Sequence, residues 1–447
     1  MQQHKVRSTR RVFFRCVPND GETNHETTSV GDTSSYADAG KLRTHVSPHP
    51  SGTARTISVA RPAVGRWHRH FLDGARPGAG GRTNVARVQH SRSGARCHGH
   101  VTRVDGRGNG QLHHKLGETR TGPSPKQVAF SPDGTELWVP LLGAVGVDVY
   151  RVPTLERIAR IPLGTKGGVE VIFTRDGTRA YVSQMHTSSV YEIDRVAKRV
   201  LRVLPTRGNW TKVLELSPDE KTLYAANWIS NDISVIDLAS GTVVRTIPTV
   251  KTPRGLSLSP DGNTIYVAGF EDGNLVRIDL TTLKQTELIR TGGAMRHLTF
   301  DALTNTMYAD DMGGDVVYAF DLKTDKHRVL AKTDSHPNTI DLAPGGRFLY
   351  VSNRGQNSTN GYYVPGPDWG SVTVIDTTTG VTVDALVGGN QTTGLDVSPD
   401  GRYLAFTDFL DGRLQLYEIP PPAILAASDG KRATTYKSEL FKPPKKR

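Results

Sequence analysis

Cysteine is almost missing from this chain: of 447 residues only Cys16 and Cys97 carry a thiol, and both precede residue 111. No disulfide framework and no thiol chemistry can therefore be assigned to the body of the protein. Long apolar runs are missing as well. No stretch approaches the ~20 apolar residues of a membrane span, and Val12-Phe13-Phe14 is too short for the apolar segment of a secretory signal. No sustained helical period is present, which excludes alternating α/β architectures. The sequence holds no Gly-x-Ser-x-Gly elbow, Cys-x-x-Cys, His-Glu-x-x-His or phosphate-cradling glycine loop. His186, His297 and His336 are isolated from one another in the chain, so neither a metal centre nor a cofactor is expected.

Acidic residues are scarce at the two ends. Residues 1–110 hold 18 Lys or Arg against 7 Asp or Glu, together with 9 of the 15 histidines, and residues 421–447 hold 7 basic groups against 2 acidic. Residues 111–420 carry 31 basic and 35 acidic groups, so the formal net charge of +12 belongs to the ends. A mildly acidic body does not suit a nucleic-acid-binding domain, and contact with nucleic acid is left to the basic segments 1–110 and 421–447. Residues 1–110 have few aliphatic side chains and no periodicity, which predicts a disordered basic extension. Such Arg-, Gly- and His-rich text is also what an upstream start or a frame change in G+C-rich DNA would produce, and an export signal would then have been lost with the true start.

What fills the rest is a repeat. Seven copies of one pattern run through residues 126–419: an alternating apolar run, a Ser-Pro-Asp-Gly type turn, a second apolar run, a polar loop, then a Val-x-Val-Ile-Asp run and a Thr-rich turn. The third turn residues are Asp133, Asp176, Asp219, Asp261, Leu303, Gly345 and Asp400, giving steps of 43, 43, 42, 42, 42 and 55. A period of this size with four short strands per unit predicts an all-β fold, a seven-bladed β-propeller of four-stranded antiparallel blades. The seventh unit lacks a fourth strand, because three prolines follow Ile419. Lys115 to Arg120 aligns with Val243 to Pro248, the fourth strand of a regular unit, so an N-terminal strand is expected to complete the last blade and remove an open edge. Roughly 310 residues in the ring would bury about three quarters of their unfolded surface.

The second strands read Ala180-Tyr181-Val182-Ser183, Leu223-Tyr224-Ala225-Ala226-Asn227, Ile265-Tyr266-Val267-Ala268 and Leu349-Tyr350-Val351-Ser352-Asn353, and the third strands include Ile233-Ser234-Val235-Ile236-Asp237 and Val372-Thr373-Val374-Ile375-Asp376. In these residues the chain resembles the YVTN-type β-propeller repeats, a family that includes YncE-like and surface-layer-associated bacterial proteins. The resemblance spans residues 111–420 and is poorest in the fifth unit, where Asp301 to Thr304 lacks Pro-Asp-Gly. It implies a periplasmic or extracellular bacterial binding protein, and a monomer is expected. His336-Pro337 with Tyr350 to Gly355 is locally similar to a seven-bladed group of lactonases.

Aligning the units places Lys126, Val169, Lys212, Arg254, Arg296, Asn338 and Thr393 at one mouth of the central channel. Cations converging there would attract an anionic small molecule or a protein partner; the competing reading is that their stems pack while their heads reach water or surface carboxylates. A second series, Leu141, Gln184, Asn227, Gly269, Asp311, Asn353 and Asp408, ends the second strands and either caps loops or points at a ligand. Trp210, Trp228 and Phe409 lie beside these positions. The loop that follows Asn353, Arg354 to Gly370, carries the insertion of about 13 residues; it concentrates Tyr362, Tyr363 and Trp369 among Gly, Asn and Pro, the make-up of a contact loop on a rigid scaffold. Non-catalytic binding through Lys126, Lys212, Arg254, Arg296, Asn338, Asn227, Asn353, Arg354, Tyr362, Tyr363 and Trp369 is the expectation. A lactonase would instead need a base and an oxyanion-stabilising cation, for which His336, Arg254 and Asp311 are the candidates. Asp310, His297 and the Glu271-Asp272 pair are further titratable groups; alternation sends adjacent Asp310 and Asp311 to opposite faces.

Overall fold

The computed structural model describes residues 109–442. The basic extension foreseen for residues 1–110 falls, up to residue 108, outside the described residues. Seven four-stranded antiparallel sheets form the blades of a ring. From the axis outward, blade 3 runs Thr211–Leu216, Thr222–Asn227, Asp232–Asp237 and Thr242–Pro248, and blades 1, 2, 4, 5 and 6 repeat this order. Blade 7 takes three strands from residues 392–418 and its outermost from His114–Arg120, which pairs antiparallel with Arg413–Glu418. The ring is thus closed by its own N-terminal strand, one residue longer than the sequence indicates.

Alternation within a strand builds the core. In blade 3, Leu223 and Ala225 join a cluster with Tyr181, Val190 and Leu204 of blade 2, while Tyr224 and Ala226 join Leu256, Ile265 and Val267 of blade 4. Side chains at successive positions face opposite sides of a sheet, so both faces are apolar because both are covered by a neighbouring blade. Each Ser-Pro-Asp turn is held by the same bond: the hydroxyls of Ser131, Ser217, Ser259 and Ser398 donate to the carboxylate two residues later at 2.6 Å, and Gly134, Glu220, Gly262 and Gly401 take the positive φ. The irregular fifth unit reaches the same end differently, with Asp301 accepting from Leu303 N at 2.9 Å and Thr304 Oγ1 at 2.6 Å.

Residues 421–442 are not a free basic tail. Helix α1 (Pro422–Ala426), helix α2 (Arg432–Thr435) and a 3₁₀ turn (Tyr436–Leu440) lie against the outermost strand of blade 6, Thr382–Val387. Buried Arg432 donates to Ala385 O at 3.0 Å, Ser428 Oγ to Val383 O at 2.6 Å, and Tyr436 Oη to Asp334 at 2.6 Å. Covering a sheet edge satisfies carbonyls that a bare outer strand would leave to water; of the basic side chains here Arg432 is buried, while Lys431 and Lys437 stay exposed.

Candidate functional site

A repeated defect in strand pairing shapes one mouth of the channel. In blade 3, Thr211 pairs with Asn227 and Val213 with Ala226, which leaves Lys212 as an extra residue. The same slip leaves Arg254 extra in blade 4, Arg296-His297 in blade 5 opposite one residue, Asn338 in blade 6 and Thr393-Gly394 in blade 7. A β-bulge breaks the in-out alternation and re-aims the side chain it carries. Lys126 precedes the inner strand of blade 1, and Arg354 directly follows the second strand of blade 6.

Five cations meet here. Lys126 lies within electrostatic reach of Arg254, Arg296 and Arg354, and Lys212 within reach of Arg254, Lys126 and Arg296. Burial first, and repulsion between neighbours second, push Lys126, Lys212 and Arg296 well below their ordinary values; burial also lowers Arg254 and Arg354. Among the described residues none of the five is at ion-pair distance from a carboxylate, whereas Arg160, Arg195, Arg202, Arg347 and Arg413 are each paired. Arg254, Arg296 and Arg354 are only 8%, 5% and 4% exposed. The reading in which such heads simply reach water does not describe these three.

Their hydrogen-bonding capacity is largely unspent. Arg296 donates through Nε to Asn338 O at 2.7 Å and through Nη2 to Asn338 Oδ1 at 3.0 Å. Arg354 keeps Nε and Nη2 buried without a partner, as do Asn338 Nδ2 and His336 Nδ1. Buried donors left unmade are costly and point to something absent from the free protein. Aromatic rings fill the gaps between the cations: Lys212 Nζ sits 3.5 Å from the centroid of Trp228 and 5.5 Å from Trp210, and Lys126 Nζ 5.0 Å from Phe409.

The inserted loop lies over the blade 6–7–1 side of this cluster. Lys126 Nζ donates to Tyr362 Oη at 3.0 Å, the Arg354 guanidinium lies 4.7 Å from the Tyr362 ring, and Gln391 Nε2 donates to Tyr362 O at 2.7 Å. Tyr363 meets it edge to face, with ring centroids 5.1 Å apart, and is 65% exposed. Trp369 is placed elsewhere, contrary to the grouping of the three aromatics by sequence: it sits under Lys442 at 4.6 Å and lines a separate cavity of about 820 Å3 with Glu118, Arg413 and Glu439.

Other expected contacts are also redistributed. Asn227 donates to Asp232 at 2.6 Å and to Ser234 at 2.8 Å, and accepts from Thr211 at 2.7 Å; Asn353 donates to Val351 O, Ser371 and Thr373. Both amides tie strands within their own blades. Asp311 accepts from Ala294 N at 2.7 Å, Gly313 N at 3.0 Å and Thr291 Oγ1 at 2.6 Å, and with its oxygens spent on a loop it is not placed as a base. Asp310 turns the other way, accepts from His297 N, and leaves Oδ2 without a partner. Burial pushes Asp310 and Glu170 up to about 7 despite the guanidiniums nearby, and burial with those guanidiniums pushes His297 down to about 3. Glu170 escaped sequence reading; its adjacency to Val169 of the mouth series was the available signal. His336 has a lowered pKa, mainly through burial, and its backbone N donates to Asp315 at 2.7 Å. Among the described residues no group of His, Cys, Asp and Glu is arranged to hold a metal, and no helix is long and apolar enough to cross a membrane.

Fold and site together define a seven-bladed propeller with a cation-lined channel mouth. The chain matches the YNCE-like beta-propeller family over residues 206–398 and the family described as "Lactonase, 7-bladed beta-propeller" over residues 79–291. It is 37% identical over 320 residues to "Antigen Lp49" of Leptospira interrogans, an alignment covering 69% of this chain and 70% of that one. The chain belongs to the YncE-like β-propeller family. Among solved structures, hydrazine synthase of Kuenenia stuttgartiensis superposes with a TM-score of 0.57 at 20% identity, covering 67% of this chain and 97% of that one, which concerns the fold alone.

Proposed function

We propose that the protein is a non-catalytic binding scaffold of the bacterial cell envelope that holds an anionic ligand at the channel mouth. The observation that carries this is the cluster of Lys126, Lys212, Arg254, Arg296 and Arg354, buried or half-buried without carboxylate partners. An anion entering it recovers the hydration energy these cations lose on burial and meets donors already fixed in place. The placement in the envelope draws on the relative named an antigen and on the family resemblance.

A second reading, a lactonase-like hydrolase, has one specific observation behind it. Asp310 combines a free carboxylate oxygen with a pKa near neutrality beside Arg296, which is the pairing of a general base with an oxyanion-stabilising cation. The full chain, with Arg254→Ala and Asp310→Asn variants, separates the two when melted in rising inorganic phosphate at constant ionic strength and assayed for opening of a sugar lactone. Phosphate should raise the melting temperature of the parent and not of Arg254→Ala, with no lactone turnover. Turnover that disappears in Asp310→Asn would replace binding by hydrolysis.

A further inference from the structure

We infer that the mouth is built for a small anion carrying two or three negative charges, such as a polycarboxylate or a condensed phosphate. The inference rests on the anion-binding reading and narrows it. Five cations share the mouth with two carboxylates in reach, Glu170 and Asp310, so the cluster is left with a formal excess of three positive charges when both acids are ionised. A single negative charge cannot neutralise that excess, and cations desolvated together interact more strongly than they would in water.

Free donors reach the mouth from more than one blade. One group of free donors belongs to blade 6 and its loop: Arg354 Nε, Arg354 Nη2 and Asn338 Nδ2. Another comes from blades 3 and 4, where the side chains of Lys212 and Arg254 make no hydrogen bond among the described residues and Lys212 rests on Trp228. Donors supplied from separate blades around one axis call for acceptors at more than one point of the ligand. Planar guanidiniums match carboxylate and phosphate oxygens alike, so the two chemistries share this site on equal terms.

Arg254, Arg296, Asn338 and Arg354 are between 3% and 8% exposed, and Tyr362 lies over the Lys126 side. A folded protein surface cannot reach groups this deep, which restricts the occupant to a small molecule.

Isothermal titration of the full chain at fixed ionic strength and pH, with acetate, succinate and tricarballylate in one series and inorganic phosphate and pyrophosphate in the other, tests this. Affinity should rise roughly tenfold or more with each added charge, the scale of one charged hydrogen bond. It should fall at least tenfold for the most highly charged member in Arg254→Gln and Arg354→Gln, with partial recovery in the corresponding lysine variants. Whichever series binds tighter identifies the ligand as carboxylate or phosphate. Acetate binding as tightly as tricarballylate would overturn the charge requirement while leaving an anion site in place. No binding in either series would remove both. Binding that persists unchanged in both glutamine variants would move the site away from the mouth.

Discussion

At the mouth, Lys212, Asn338 and Thr393 sit on bulges, while three residues further along the same strands Glu215, Asp341 and Asp396 are spent on holding the ring together. Glu215 accepts from Leu258 N of the next blade at 3.2 Å, Asp341 from Val397 N at 2.9 Å, and Asp396 from Phe130 N of blade 1 at 2.6 Å. The last bond crosses the same seam that the N-terminal strand closes on the outside. Burial of a charged side chain therefore has two meanings in one channel. Where the group meets a backbone donor from the neighbouring blade, it is a latch; where it meets other charges of its own sign and no partner, it is a place prepared for something else.

The contrast is easiest to break by removing one group from each layer. Asp396→Ala leaves Phe130 N without its acceptor at the ring seam and should cost about 1–3 kcal/mol, read as a lower denaturation midpoint, with phosphate affinity changed less than twofold. An equal loss of affinity would mean that the two layers are one site. Arg254→Met should act with the opposite sign. Because Arg254 has no hydrogen bond to lose, replacing it by an apolar side chain of similar length should stabilise the fold by about 1 kcal/mol while abolishing the thermal shift by phosphate. Destabilisation by this change would show that the cluster supports the fold.

A further effect concerns pH. Burial, reinforced by Glu170, holds Glu215 up at about 7, against a value near 4.5 in the free chain. Between those values the folded protein holds the extra proton, so this group's contribution favours folding at low pH and is lost as pH rises toward 7. Glu215→Gln keeps an acceptor for Leu258 N but has nothing to ionise. Its stability relative to the parent should therefore improve by on the order of 1–2 kcal/mol between pH 5 and pH 8, and a gap that stays constant with pH would show that Glu215 does not titrate in this window.

Much of the architecture can be read from local chemistry. Turn hydroxyls and carboxylates such as Ser131 and Asp133 act across two residues, and a period of 42 or 43 residues places the strands of every unit, so blade number, strand order and the pairing of Lys115 to Arg120 with the last blade are visible in the chain. The mouth series is visible for the same reason, since equivalent repeat positions face a common axis. The fate of individual polar groups is not. Asn227 and Arg254 both stand near the mouth in sequence phase, yet one is consumed by Asp232 and Ser234 while the other is left unpaired. That difference depends on neighbours 5 and 7 residues away for the first and on blades far apart in sequence for the second.

By itself, then, the sequence determined a closed ring of seven blades and the set of side chains that line its axis, because both follow from periodicity and turn chemistry acting over short stretches. Only the tertiary structure decided that Tyr362 lies over the cations while Trp369 packs beneath Lys442, that residues 421–442 cover blade 6, and which of the buried charges are latched and which are free. Those outcomes depend on through-space electrostatics and on hydrogen bonds between residues tens to hundreds of positions apart, such as Lys126 with Tyr362 and Asp396 with Phe130, for which no local pattern carries a signal.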